Sequence, residues 1–160
     1  VIGHLGVCPF TVDHKKAGLP LGDVHYPITR ATVPEEIYRE YWREVCYLLD
    51  SSERDVSTTL LITPNFGMGN PEGFDTFSNT LTQPLEPLNL ERDIQLVFFH
   101  PGYCFRDGMA RLGDGGAANY ARRSPLPMIN ILRTNQVRAG QKGIPTGLVY
   151  QQNEETLAGV

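Results

Sequence analysis

The longest periodic signal in the chain is helical. Ile37, Tyr41, Val45 and Leu48 recur three or four positions apart, and Tyr38, Trp42 and Leu49 widen the apolar stripe, as one face of a 3.6-residue period requires. Thr32-Val33-Pro34-Glu35 predicts where this helix starts. Thr32 serves as the cap, Pro34 sits in the first turn and Glu35 completes a capping box. The helix is expected to run to about residue 51, with Glu35, Glu36 and Glu44 on a solvated face. Tyr38, Tyr41 and Trp42 read as core packing rather than as a stacking platform.

Shorter apolar runs predict strands. Residues 57–63 (STTLLIT) are apolar and β-branched and close on Pro64, which marks a buried strand. Residues 94–99 (IQLVFF) are almost continuously apolar, a pattern that predicts burial on both faces, as in a central strand. Residues 128–133 (MINILR) supply a further strand, and residues 26–31 a weak first one. Phe74, Phe77, Leu81 and Leu85 share one side of a second helix over 74–85, and a short helix is expected over 134–139. Between these lie loops rich in Gly and Pro: the irregular segment up to residue 27, the turn at 65–71 and the long stretch 101–125. The tail from 140 reads as loop, with a helix start at 154–157.

The order strand, helix, strand, helix, strand, long loop, strand predicts a single α/β (α+β) domain over residues 1–160. Helical crossovers make the first three strands parallel and right-handed. The last strand is expected antiparallel beside the third. The result is a mixed, mainly four-stranded sheet with helices mostly on one face.

Composition narrows the function classes. A net charge of −4, with only Lys15-Lys16 and Arg122-Arg123 as adjacent basic pairs, is not the basic stripe of a nucleic-acid binder. Both pairs read as solvated surface. No apolar run approaches the ~20 residues of a membrane span, so no transmembrane segment is expected. The chain opens on Val1-Ile2-Gly3-His4-Leu5-Gly6-Val7 without a signal or transit pattern, like the end of an element whose start lies upstream in a processed precursor. Three cysteines, Cys8, Cys46 and Cys104, cannot all pair with one another. Cys46, amid Val45, Tyr47 and Leu48, is expected to be buried and inert.

Candidate chemistry follows from the topology. Ligands of open α/β sheets favour the carboxyl ends of parallel strands. Asn65 and Phe66 follow one such end, and His100, Pro101 and Tyr103 follow another. An antiparallel last strand brings Arg123, Ser124 and Pro125 to the same rim. His100 is a candidate acid or base, or else a strut for the loop that follows it. Cys8 is a candidate nucleophile if His100 lies within reach, or a structural thiol before Pro9-Phe10. Arg123 has the planar fork that suits a carboxylate or phosphate, with Asn119 beside it; the structural alternative is a loop clamp onto Asp107 or Asp114. Ser124-Pro125 sets an extended entry into the strand. Cys8, His100 and Cys104 lack a second recognisable ligand pair, so neither a metal nor a cofactor is expected. Gly113-Asp114-Gly115-Gly116 has no following Lys-Ser or Lys-Thr and is not a phosphate loop.

Several short motifs recur in one order: Val7-Cys8-Pro9-Phe10, Thr58-Thr59-Leu60-Leu61, Phe99-His100-Pro101-Gly102-Tyr103, and Asn119-Tyr120 followed by Arg123-Ser124-Pro125. Together they resemble the DUF1415 family, a group of unknown function with bacterial members and plastid-targeted members in algae and plants. Residues 106–118 and 17–24 look expanded relative to the bacterial pattern, and most of the family's first helix, before Cys8, is missing. The resemblance implies a plastid location, in the thylakoid lumen or at the membrane surface. Together with the expanded Gly- and Pro-rich loops and the lack of a complete catalytic set, it points to a binding or assembly factor, and the resemblance implies as its partner a larger complex such as photosystem II. The alternative is a small transferase or hydrolase that uses Cys8 and His100 on an anionic metabolite. Its ligand would be held by Asn65, Tyr103, Asn119, Arg123 and Ser124.

Overall fold

The computed structural model describes residues 22–104, 106–107, 110–111 and 117–140. The chain forms β1 (Asp23–His25), α1 (Pro34–Asp50), β2 (Val56–Ile62) and α2 (Pro71–Thr82). Two 3-10 turns, Gln83–Leu85 and Leu90–Arg92, lead to β3 (Ile94–Phe99). A two-stranded ribbon of β4 (Arg106–Asp107) and β5 (Ala110–Arg111), a 3-10 turn at Ala117–Ala121, β6 (Met128–Arg133) and α3 (Thr134–Gly140) complete the order.

The main sheet has the strand order β1-β2-β6-β3. β1 is parallel to β2, while β6 is antiparallel to both β2 and β3. Three strands therefore point one way, and the last returns between the second and third. This is the mixed four-stranded α+β sheet that the order of elements predicts.

Residues paired across a ladder share a face. Thr59 pairs with Ile131 and Leu61 with Ile129, and Leu96 and Phe98 continue these rows on β3. This face carries the core. Ile37, Tyr41, Val45 and Leu48 of α1 and Phe74, Phe77 and Leu81 of α2 pack with Leu61, Ile94, Ile129 and Ile131 in one cluster. Fully burying one such aliphatic side chain contributes about 1.5–3 kcal/mol. The opposite face presents Leu60, Ile62, Val97, Phe99, Met128 and Leu132, which are half-buried and take no part in that cluster.

Four local expectations are corrected. First, α1 has Val33 as its N-cap, extended at φ −115°, ψ 145°, with no side-chain cap bond. Thr32 is not the cap because Pro34 takes the first helical position, where its fixed φ fits, and pushes the preceding residue into extended backbone. Second, β1 lies at Asp23–His25 rather than over 26–31. Pro27 has no N–H to donate, so beyond it only the Ile28–Ile62 bridge persists. Third, among the described residues β3 is an edge strand and not a central one. Its run is apolar because both sheet faces are apolar there, not because it has two neighbours. Fourth, Cys46 is exposed, since it points away from the buried stripe of α1. On the same outer side Tyr38 is exposed and Trp42 half-buried, so of the three aromatics Tyr41 alone is fully buried.

Among the described residues, Arg133 is a buried charge and Glu44 a half-buried one. Arg133, 8% exposed, ends β6 and donates from Nη2 to Leu48 O and Ser51 O, both at 2.7 Å, and from Nε to Val56 O at 3.1 Å. These carbonyls include the C-terminal ones of α1, where a cation also meets the negative end of the helix dipole. Glu44, expected on a solvated face, keeps only 16% side-chain exposure and lies 3.1 Å from His25 Nε2. The approach is close, but Glu44 Oε2 has no well-aligned hydrogen bond. Burial therefore raises the Glu44 carboxyl above its ordinary value of 4.5, with His25 pulling it back and Glu40 adding to the rise.

Candidate functional site

The carboxyl ends of β1, β2 and β3 and the entry to β6 share one rim. Hydrogen bonds join the segments that leave and enter there. Thr63 N donates to Pro127 O at 3.0 Å, and His100 N to Arg122 O at 3.2 Å. His100 is thus hydrogen-bonded to Arg122, the residue just before Arg123-Ser124-Pro125. Asn65 sits on this rim as well, but its Nδ2 donates to Arg30 O at 3.2 Å, which ties it to the segment after β1.

His100 is 3% exposed, and both of its ring nitrogens meet backbone. Gly102 N–H donates to Nδ1 at 2.9 Å. An N–H only donates, so Nδ1 is an acceptor and the ring proton sits on Nε2. Nε2 in turn donates to Gly67 O at 2.8 Å. Gly67 presents that carbonyl from the left-handed region, φ +72°, where a Cβ would also meet Phe74 Cδ2 at 3.0 Å. The imidazole packs against the Phe74 ring, with centroids 5.3 Å apart. This geometry makes His100 a strut that locks the β2 and β3 loops together.

The neighbouring groups are arginines, tyrosines and an amide. Arg123 Nε donates to Tyr103 O at 3.2 Å, and its guanidinium stands 4.8 Å over the Tyr120 ring. Arg122 Nη1 donates to the Tyr103 hydroxyl at 3.4 Å and lies 5.5 Å from that ring's centroid. Tyr120 itself is 60% exposed. Asn119, only 1% exposed, donates from Nδ2 to Cys104 Sγ at 3.5 Å. Ser124 Oγ donates to Leu126 O at 2.5 Å, which holds the extended entry into β6. Arg122 and Arg123 are thus half-buried and engaged, not the solvated pair that their adjacency suggested.

A cavity beneath these residues is lined by Phe74, Asp75, Ser78, His100, Tyr103 and Cys104, among others. Its volume is about 20 Å³. That is room for one water, far below the roughly 300–1,000 Å³ of a metabolite pocket. A larger hollow, about 670 Å³, lies open on the outer side of α1 among Tyr38, Arg39, Trp42 and Cys46. It is a solvent-facing shelf that contains none of the predicted residues. Among the described residues no group of three His, Cys, Asp or Glu side chains could hold a metal ion. Cys8 lies outside the described residues.

The order of the motifs agrees with one comparison. The chain belongs to the DUF1415 family. That family, described as a protein of unknown function, matches residues 1–160. No curated protein and no solved structure matches the chain.

Within this DUF1415 domain, sequence reasoning gave no role to Gly67, Tyr120 and Arg133, and it read Arg122 as solvated surface. Gly67 carried a usable signal, since a glycine shortly after a strand often marks positive φ. Tyr120 lies inside the Asn119–Arg123 motif but has no chemistry that singles it out in sequence. Arg133 closes an apolar strand (MINILR), and a cation at that point is the visible trace of a buried tie.

Proposed function

We propose that this DUF1415 domain is a binding or assembly module. On this reading its rim presents Arg123 and Tyr120 to an acidic group on a larger protein partner. The observation that carries the reading is the hydrogen bonding of His100: both ring nitrogens are engaged by backbone, which leaves the ring no role as a general base in this arrangement. The small rim cavity agrees, because it has no space for a metabolite. The rim carries a half-buried arginine whose Nε donates to Tyr103 O and whose guanidinium lies over the exposed Tyr120 ring. A preset guanidinium suits carboxylate or phosphate recognition. The setting proposed for this binding is a plastid, at a thylakoid photosynthetic complex such as photosystem II; it is carried by the family resemblance alone.

Titration of isotope-labelled protein with inorganic phosphate, and separately with acetate, tests the rim. The expected result is a saturable shift of the Arg122 and Arg123 side-chain resonances and of the 119–124 amides. Arg123→Ala should abolish the response while the fold is retained. No shift with either anion overturns the rim as the binding surface. Affinity purification from intact thylakoid membranes tests the setting, and recovery of the domain without any larger complex overturns it.

A further inference from the structure

The two edges of the main sheet are unlike. The β1 edge is blunted, with three residues, an acidic Asp23, a bulge between Asp23 and Val24 and Pro27 just beyond. Shortness, charge, bulges and proline are the devices that stop a sheet edge from recruiting another strand. β3 has none of them. It is six residues long, regular in register, without charge or proline, and rich in β-branched and aromatic residues (IQLVFF). Its inner edge pairs with β6, and among the described residues no strand pairs with its outer edge.

The residue pattern says what fits that edge. Two copies related by a two-fold axis normal to the sheet meet antiparallel. Their faces match only where paired positions differ by an even number. A dyad at Leu96 pairs Ile94 with Phe98 and Gln95 with Val97. A dyad at Val97 pairs Gln95 with Phe99 and Leu96 with Phe98. Each arrangement keeps core-face residues opposite core-face residues, adds an aliphatic–aromatic cross-strand pair and brings no like charges together. It also gives hydrogen-bond partners to the outward backbone groups. We infer that β3 is a self-association edge, through which two copies of this chain join antiparallel into one continuous sheet. The strand contact is smaller than the about 1,200–2,000 Å² of a standard interface, so the dimer is weak and forms in proportion to concentration.

Sedimentation equilibrium over a wide dilution series, with hydrogen exchange of the β3 amides at its two ends, tests this. The full chain should pass from one copy to two as concentration rises. The outward β3 amides should gain protection only in the concentrated sample. Val97→Lys should weaken association about tenfold, since two introduced charges face the dyad. Gln95→Lys, at a position already polar, should weaken it in the same direction and remains informative if the Val97 variant unfolds. Three outcomes overturn the inference. One is protection of the outward amides at every dilution, which would place another part of the same chain on the edge. Another is a single-copy mass with fast exchange throughout. The third is association that neither lysine alters.

Discussion

At the scale of single residues, the histidines divide by what surrounds them. His100 is a structural member, because a backbone N–H and a backbone carbonyl use both nitrogens. His25 faces a carboxylate, and the consequence lies with Glu44. Burial raises the Glu44 carboxyl from its ordinary 4.5, so the folded chain binds a proton more readily than the unfolded one. The favourable contribution is then complete below pH 4.5 and is lost as pH rises through the raised folded value. Glu44→Gln removes this titration. Urea midpoints of the parent should fall as pH climbs from 4.5 towards neutrality, and those of the variant should fall less. Equal slopes for the two proteins would show that Glu44 does not control the trend.

At the scale of elements, α1 shows how one local preference displaces another. Thr32 and Glu35 have the spacing of a capping box, yet Pro34 at the first helical position makes Val33 the cap. Val33 offers no side-chain acceptor, and it is 43% exposed. Val33→Ser supplies an oxygen for an orphan amide of the first turn without disturbing the core. The expected gain is about 1 kcal/mol, visible as a higher denaturation midpoint. No change, or a loss, would mean that the extended Val33 backbone does not present a serine oxygen to those amides. α2 already has this arrangement, with Asn70 accepting from Gly73 N at 2.9 Å.

At the scale of the whole molecule, Arg133 joins three elements. Its guanidinium connects the end of β6 to the last turn of α1 and to the start of β2. Arg133→Met keeps the length and apolar volume but leaves Leu48 O, Ser51 O and Val56 O without that donor. Hydrogen bonds to charged groups contribute about 1.5–3 kcal/mol each before relaxation and water entry. A net loss of about 3 kcal/mol is expected, read as a lower urea midpoint with an unchanged m-value. A loss below about 0.5 kcal/mol, the range of ordinary surface changes, would place the stabilisation of this corner elsewhere.

The sequence by itself determined most of the elements, the first strand excepted. β3 and β6 have the predicted bounds, α1 begins one residue beyond the start that a Thr32 cap implied, and α2 adds its first turn at Pro71. Short-range periodicity and proline chemistry decide such features without help from distant residues. It also determined the rim, because helical crossovers and one antiparallel return leave few ways to arrange the strand ends. Tertiary structure alone decided that β6 inserts beside β2 and makes β3 an edge, since strand order depends on pairing between residues far apart in the chain. It alone decided the character of the candidate site. Whether His100 is a base or a strut depends on the Gly67 carbonyl, 33 positions away, and on the Gly102 amide beside it. Arg123 was visible as a cation, but the Tyr120 ring beneath it and the Tyr103 carbonyl that orients it come from the folded loops. A side chain's chemistry is written in its type; its role is set by the partners that the fold brings within hydrogen-bond reach.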